Sequence, residues 1–267
     1  MQFIELNPFW NESWKFSYKF DLLEVYGSRN NLGHSYAYQN RLKHTLDLVK
    51  TFVQPGAKIL DVAAAQGNFS LILAEQGYDV TWNDLRSDLI DYVKLKYESG
   101  TVHYAPGDVF KINLENQYDM VLITEIIEHV AHPDQFLEQV STLVKPGGYI
   151  LMTTPNGEYF GNKLPRFSDC PDPSVFEEMQ FMPDADGHIF LLHLDEIADL
   201  AKKSNLLVKS SGFYTNTLTN GFFKTGFLLK KTPQFLINFI QSCTNRFPGL
   251  IKRKLHTGMS IVFQRSH

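Results

Sequence analysis

The chain has 267 residues, of which 43% are hydrophobic and 13% aromatic, and its formal net charge is −4. This composition supplies enough apolar surface for a sizeable core and excludes wholesale disorder. No apolar run approaches the ~18 residues of a membrane-spanning helix, and residues 1–20 do not show the basic start and apolar block typical of a secretion signal. Because the two cysteines, Cys170 and Cys243, show no metal-binding spacing and suggest no disulfide framework, we expect a soluble cytoplasmic protein.

The first 56 residues are rich in aromatic side chains at irregular spacing, and they predict a cap of short helices and loops. The last part of this segment predicts a helix over 38–52, which Pro55 and Gly56 would end. A hydrophobic strap packed on the edge of a sheet is the alternative interpretation. We therefore expect an N-terminal cap over 1–56 and a main domain over 57–267.

Residues 57–70, AKILDVAAAQGNFS, predict a buried strand, a tight turn and a helix in succession. Small residues in such a turn let the backbone approach a ligand, and the following helix supplies unpaired N–H groups. A dinucleotide-binding turn needs G-x-G-x-x-G with an acid about 20 residues later. Here the acid, Asp61, precedes the turn directly and that glycine pattern is absent. An ordinary tight turn between strand and helix remains the alternative.

Strand and helix patterns then alternate along the rest of the chain. The predicted strands cover 59–61, 78–83, 102–105, 118–124, 149–154, 206–210 and 260–264. The predicted helices cover 71–74, 87–97, 134–144 and 194–204, with insertions at about 155–190 and 215–256, the second containing a helix over 233–243. Such alternation predicts an α/β fold: a Rossmann-like, doubly wound, mostly parallel seven-stranded sheet with helices on both faces.

Four acidic residues follow the first four strands: Asp61, Asp84, Asp108 and Glu125. Each alone is explained as a helix cap or a solvated loop acid. Ligands of open α/β sheets bind at the carboxyl ends of the strands, so the four together predict a binding site there.

The pattern Asp61-x-Ala63-x-Ala65-x-Gly67 resembles the D-x-G-x-G-x-G loop of class I S-adenosylmethionine (SAM) methyltransferases, with alanine in place of two glycines. The resemblance covers 58–155 and includes the stretch VKPGGYILMTTP over 144–155. It implies SAM as the cofactor and methyl transfer as the reaction. An alanine is tolerated in this loop if its φ is negative and costs ~1 kcal/mol if it is not.

The resemblance also assigns roles to residues around the cofactor. It implies that Asp84 accepts hydrogen bonds from both ribose hydroxyls, and that Asp108 takes the adenine amino group beside the Val109 N–H. The loop over 61–67 would pack against the methionine part and its ammonium. The complete predicted cofactor set is Asp61, Ala63, Ala65, Gly67, Asn83, Asp84, Leu85, Gly107, Asp108, Val109, Thr124 and Glu125.

His129, His188 and Glu128 are the candidate catalytic residues, since imidazole titrates near working pH and suits a general base. If a helix begins at Glu125, then Glu125, Glu128 and His129 share one face. A purely structural Glu128–His129 pair is the alternative. These residues with His188 also resemble the divalent-ion site of small-RNA 3′-end 2′-O-methyltransferases. We nevertheless predict no metal, because the chain shows no recognisable RNA-binding appendage.

The C-terminal part is basic: residues 200–267 contain eleven Lys and Arg and no Asp or Glu, which leaves −15 on residues 1–199. Within it, 220–254 carries Phe222, Phe223, Phe227, Phe235 and Phe239. Apolar residues 235, 236, 239 and 240 would share one helical face. The segment predicts either a wall of the acceptor site or peripheral contact with an anionic membrane. The alternative is that its charges only solvate the surface.

The sequence as a whole predicts a SAM-dependent methyltransferase that O-methylates a small molecule, anionic or apolar, from secondary metabolism or glycan synthesis. The alternatives are a metal-assisted RNA 2′-O-methyltransferase and a non-catalytic SAM-fold binding protein, the latter motivated by Ala63 and Ala65. We expect no DNA partner and no RNA partner, and the sequence gives no indication of oligomeric state.

Overall fold

The computed structural model describes residues 1–27, 31–180, 187–220 and 226–267. Its centre is a seven-stranded sheet in the order β3-β2-β1-β4-β5-β7-β6. The strands are β1 Lys58–Val62, β2 Asp79–Trp82, β3 Thr101–Tyr104, β4 Tyr118–Thr124, β5 Val144–Pro155, β6 Leu206–Asn216 and β7 His256–Arg265. Neighbouring strands are parallel except at β7, which runs antiparallel to both β5 and β6. The predicted fold class is confirmed.

Helices cover both faces of the sheet. They are α1 Glu12–Glu24, α2 Leu32–Phe52, α3 Asn68–Glu75, α4 Leu89–Lys96, α5 Pro133–Leu143, α6 Leu194–Lys203, α7 Gly226–Lys231, α8 Gln234–Thr244 and α9 Gly249–Leu255. On one face, α5 and α6 bury apolar residues at helical spacing, among them Phe136, Val140, Ile197 and Leu200. On the other face, α2 and α3 bury Val49, Phe69 and Leu73. Each amphipathic helix therefore packs against the apolar side chains of the sheet.

A buried polar network holds the N-terminal helix α1 against α3 and α4. Asp21 of α1 forms an ion pair with Lys96 at 2.8 Å, and both side chains are completely buried. Asp21 also accepts hydrogen bonds from Asn68 at 2.8 Å and from Tyr92 at 2.7 Å. Breaking a buried pair of this kind costs about 3–5 kcal/mol, so α1 is fixed beside the start of α3. The division of the chain at residue 56 stays a prediction.

Several elements are longer than their sequence patterns indicate. Helix α2 begins at Leu32 rather than 38, and β6 continues to Asn216 because its backbone keeps pairing with β7.

The insertion after β5 contains two 3-10 turns within its described residues, Phe167–Asp169 and Pro173–Met179. The described residues of the insertion before β7 form three helices, α7 to α9, where the sequence indicated one. Phe222 and Phe223 lie outside the described residues.

In the described ranges, no helix combines the length and the apolar character needed to cross a bilayer. The cytoplasmic location stays a prediction.

Candidate active site

The loop between β1 and α3 keeps a left-handed backbone although two of its positions are alanine. The φ angles are +50° at Ala63, +47° at Ala65 and +72° at Gly67. Left-handed alanine costs ~1 kcal/mol per residue, so this loop is strained. At Gly67 a Cβ atom would lie 2.8 Å from Val93 Cγ1, which explains why glycine is needed there. The loop therefore has the left-handed backbone that glycines adopt easily, although two of its positions are alanine.

Asp84 anchors this strained loop from the end of β2. Its Oδ2 accepts a hydrogen bond from the Ala65 N–H at 2.8 Å, and its Oδ1 accepts from the Arg86 N–H at 2.9 Å. The Arg86 side chain also donates to Oδ1 from Nε at 3.1 Å. Asp84 is buried and is not among the residues that line the adjacent cavity. That Asp84 binds the ribose hydroxyls stays a prediction. Its hydrogen bond to the Ala65 N–H holds the loop in place.

A first cavity of about 300 Å³ lies at the carboxyl ends of the strands. Six residues of the predicted cofactor set line it: Ala63, Asn83, Leu85, Gly107, Asp108 and Val109. The apolar part of its wall, which the sequence analysis missed, comes from Val62, Phe110, Ile126, Val130 and Phe136. Its remaining polar lining is His132, Gln135, Gln139 and Gln180. The cavity therefore presents a largely apolar slot with polar groups at few positions, as ligand pockets commonly do.

Asp108 places a carboxylate at this cavity. It accepts hydrogen bonds from the Phe110 N–H at 3.1 Å and from Lys111 Nζ at 2.9 Å. The hydrogen bond from Lys111 holds the pKa of Asp108 below its ordinary value, so the group stays ionised. An ionised carboxylate beside an apolar slot suits an amino group on a flat ring.

Asp61 is completely buried behind the same loop. Its Oδ2 accepts a hydrogen bond from Ser70 at 2.6 Å, whereas its Oδ1 has no hydrogen-bond partner among the described residues. Burial raises the pKa of the Asp61 carboxyl to about 7. A buried carboxylate oxygen without a donor is suited to a cationic group brought by a ligand.

A second cavity, of about 290 Å³, lies beside the end of β4, and several ionisable residues line it. Glu125 lines it with its backbone in the left-handed region, at φ +54°. Glu125 Oε2 lies 3.2 Å from Arg41 Nη1, and Oε1 accepts a hydrogen bond from the Tyr214 hydroxyl at 3.0 Å. The other lining residues are Glu24, His34, Ala37, Tyr38, Pro155, Thr215, Thr257 and Gly258.

The position of Glu125 corrects one expectation from the sequence. Residues Ile127–His129 form a 3-10 turn, not the first turn of an α-helix. Glu125 therefore does not share a face with Glu128 and His129, and it lines the second cavity instead of the first. Thr124, the preceding member of the predicted set, ends β4 and pairs in register with Thr153 of β5.

Glu128, His129 and His188 form a cluster, which we call the Glu-His-His cluster. One ligand atom from each residue lies within 4.8 Å of the others. The rings of His129 and His188 are 4.9 Å apart, and the Ile189 N–H donates to the Glu128 carbonyl at 2.7 Å. The structure thus brings together the three residues predicted to be catalytic, although His188 is distant in sequence.

Glu128 is the buried member of the cluster, with 1% of its surface exposed. Its Oε2 accepts a hydrogen bond from the Thr154 hydroxyl at 3.0 Å, and its Oε1 has no hydrogen-bond partner among the described residues. Burial, with the nearby charge of Glu125, raises the pKa of Glu128 well above its ordinary value. His129 Nε2 is 4.0 Å from Oε1.

The 3-10 turn that carries Glu128 and His129 is close in the chain to the walls of both cavities. Ile126 and Val130, on either side of the turn, line the first cavity, and Glu125, directly before Ile126, lines the second.

Arg41 and Tyr214 were not predicted from the sequence as site residues. Arg41 lies on α2 and Tyr214 on the part of β6 beyond its predicted end. Neither is near Glu125 in sequence, so no spacing pattern connects the three residues. Only the longer β6 found in the structure brings Tyr214 to this site.

Comparison with known proteins gives consistent matches. A family model described as "Methyltransferase domain" matches residues 34–211. The ubiquinone biosynthesis O-methyltransferase of Bordetella avium is 36% identical over 105 residues, covering 38% of this chain and 44% of that protein. The protein of the same name from Coxiella burnetii (strain Dugway 5J108-111) is 27% identical over 183 residues, covering 62% and 71%.

Among solved structures, a SAM dependent methyltransferase from Archaeoglobus fulgidus superposes with a TM-score of 0.56 at 16% identity. The match covers 94% of this chain and 100% of that one. At this identity the likeness shows the fold. The chain spans 44% of the length of its Bordetella relative, so the detailed activity is a separate question.

Proposed function

Because the chain belongs to the methyltransferase family whose model covers residues 34–211, we propose that it transfers a methyl group from SAM to a hydroxyl oxygen of a small-molecule acceptor. SAM is the cofactor of this family. The two relatives named O-methyltransferases support oxygen as the methylated atom. Their names refer to ubiquinone biosynthesis, so hydroxylated precursors of that kind are the first acceptors to test. An origin in secondary metabolism or glycan synthesis stays a prediction.

The observation that carries this proposal is the Glu-His-His cluster, whose neighbours along the chain line the two cavities: Glu125 the second, Ile126 and Val130 the first. Methyl transfer is an in-line displacement, so the protein contributes mainly by aligning the acceptor oxygen with the methyl group. A hydroxyl acceptor also has to lose its proton. Groups that accept a proton or stabilise the resulting oxyanion are therefore needed where the two ligands meet.

The residues around the first cavity fit SAM. The cofactor supplies a methyl group activated by attachment to a sulfonium. Asp108 and Val109 line the apolar slot where the resemblance places adenine, and the loop at Ala63 and Ala65 keeps the left-handed shape that lets backbone approach a ligand. The unpartnered Asp61 Oδ1 is suited to the ammonium of the methionine part.

We expect SAM affinity to fall at acid pH because of Asp61. Its pKa of about 7 means that the carboxylate, which attracts an ammonium, is lost as pH falls through 7. Between about pH 7.5 and about pH 5.5 the dissociation constant should rise roughly tenfold. Isothermal titration calorimetry at both pH values measures it. The Asp61→Asn variant, which has no titrating group, should bind weakly and almost independently of pH. An equally steep pH dependence in that variant would contradict the assignment.

We propose that the acceptor occupies the second cavity. Arg41 Nε is buried there without a hydrogen-bond partner among the described residues, so it can donate to an oxygen of the acceptor. Glu125 Oε2 holds the Arg41 guanidinium through Nη1, and the Tyr214 hydroxyl donates to the other oxygen of Glu125. An acceptor that carries a second oxygen substituent next to its hydroxyl would use both Arg41 and the cluster.

A second candidate concerns how the cluster acts. Two imidazoles and one carboxylate with convergent ligand atoms match the donor set of a divalent cation. Such a cation, when bound, would lower the pKa of the acceptor hydroxyl and orient it. The unpartnered Oε1 of buried Glu128 favours this candidate over direct proton transfer to His129. We therefore propose a cation at Glu128, His129 and His188, in place of the metal-free site expected from the sequence.

The cluster differs in one respect from the four-residue set that the sequence suggested. Glu125 is engaged by Arg41 and Tyr214, so three protein ligands remain. Three ligands leave coordination positions for an acceptor oxygen. Apart from this cluster, no feature of the described residues supports an RNA acceptor.

The proposed function is tested with SAM carrying an isotopically labelled methyl group and a panel of phenols, catechols and hydroxylated ubiquinone precursors. We expect mass spectrometry to find the label in a methyl ether. Label on nitrogen or carbon would contradict O-methylation. Tight SAM binding without turnover of any acceptor would instead favour the non-catalytic alternative.

A further inference from the structure

The three helices between β6 and β7 present an exposed apolar surface, which we call the outer face. Three of its phenylalanines and one leucine are more than half exposed: Phe227 65%, Phe235 69%, Phe239 63% and Leu250 79%. Five further apolar side chains of this surface are between 36% and 51% exposed: Leu228, Leu236, Ile240, Phe247 and Ile251. Exposed apolar side chains of this number on three consecutive short helices indicate an interaction surface.

The sides of α7 and α8 that face away from the outer face are buried, and these buried contacts fix which side chains point to solvent. Ile237 of α8 and Leu229 of α7 are buried together against Tyr36 of α2. Gln241, one turn further along α8, is also buried and donates a hydrogen bond to the Tyr214 carbonyl at 2.7 Å. Since these inward contacts already use the buried side of α8, Phe235 and Phe239 cannot turn inward without breaking them.

The charged residues in the chain segment that forms the outer face are all basic. Its basic residues are Lys230, Lys231, Arg246, Lys252, Arg253 and Lys254, and residues 200–267 contain no acid. Arg253 lies 3.5 Å from Glu158, whereas the other five form no ion pair with any residue in the described ranges. Unpaired cations beside exposed apolar side chains are complementary to a surface that is anionic outside and apolar beneath.

We propose that the outer face docks on an anionic membrane surface, with the apolar side chains inserted among the lipids and the lysines at the headgroups. None of the three helices exceeds 11 residues, so each lies in the interface and does not span the bilayer. A second copy of this chain would bring two mainly basic faces together. The aliphatic side chains Leu236, Ile240, Leu250 and Ile251 suit insertion among lipid chains, whereas a nucleic-acid base would stack only on the phenylalanines of this face.

The test is co-sedimentation of the full chain with vesicles of phosphatidylcholine alone or mixed with phosphatidylglycerol. We expect binding to the anionic vesicles that weakens at high salt, and little binding to the neutral ones. The triple variant Lys230→Glu, Lys231→Glu, Lys254→Glu should bind the anionic vesicles at least about tenfold more weakly. Phe235→Ser with Phe239→Ser should give a similar loss, because both side chains are exposed and contribute through insertion.

The matched control is Lys202→Glu with Lys203→Glu on α6. These lysines are exposed on a helix that packs on the other face of the sheet, so vesicle binding should stay within about twofold. Melting temperatures of all variants should match the wild type. Equal binding to neutral and anionic vesicles, or no vesicle binding at all, would overturn the proposal. The proposal would also be overturned if the chain dimerised or bound RNA through this face instead of binding vesicles. In that case the same variants would abolish dimerisation or RNA binding.

Discussion

Removal of divalent cations with EDTA is expected to lower kcat at least about 100-fold, and Mg²⁺ or Mn²⁺ should restore it. The reason is the convergence of Glu128, His129 and His188, whose ligand atoms lie within 4.8 Å of one another. Without a cation, Glu128 keeps a buried oxygen that no described residue satisfies. Methyl transfer should be measured with and without chelator, and with each metal added back.

Two variants separate the cation from other causes of lost activity. Glu128→Gln keeps the size of the side chain and removes its charge, so kcat should fall by a similar factor and should no longer respond to added metal. Glu138→Gln makes the same substitution at an exposed position of α5 and should behave like the wild type. SAM affinity, measured by calorimetry, should be unchanged in both. Full activity in EDTA would contradict the cation and return His129 to the role of direct proton acceptor.

The second large effect is expected at Asp84. The Asp84→Ala variant should weaken SAM binding by about 10- to 100-fold, because a hydrogen bond to a charged group contributes about 1.5–3 kcal/mol. Two causes act together: the proposed contacts to the ribose hydroxyls are lost, and the Ala65 N–H loses its acceptor. The strained loop would then relax away from its left-handed shape. Calorimetry with SAM measures the change.

Arg86→Ala is the matched control for Asp84. It removes the side-chain partner of Asp84 but leaves the carboxylate and its bond to Ala65 in place. SAM affinity should stay within about threefold of the wild type, since Arg86 is 43% exposed and solvent screens its attraction to Asp84. Unchanged affinity in Asp84→Ala would remove Asp84 from the cofactor site. Comparing the melting temperatures without ligand would show how much of any effect comes from the loop alone.

The sheet and the approximate positions of its strands were predictable from local patterns. Apolar runs such as 118–124 coincide with β4 Tyr118–Thr124 because buried parallel strands need apolar residues on both sides. The acids that follow these runs meet at one edge because parallel strands end together. Asp108 and its neighbours therefore line the first cavity as expected. The backbone at Ala63 and Ala65 was not predictable, since alanine usually avoids positive φ and only tertiary contacts hold it there.

By itself, the sequence determined the α/β fold, and it predicted a site at the carboxyl ends of the strands and the candidate catalytic residues. Each of these depends on residues close together in the chain or on the regular period of a strand or helix. The tertiary structure alone decided which of those residues meet. It joined His188 to Glu128 and His129, turned Glu125 toward Arg41 and Tyr214, and exposed Phe235 while burying Ile237. The physical reason is that these contacts join distant segments, and their geometry follows from how whole helices and strands pack, which no local spacing records.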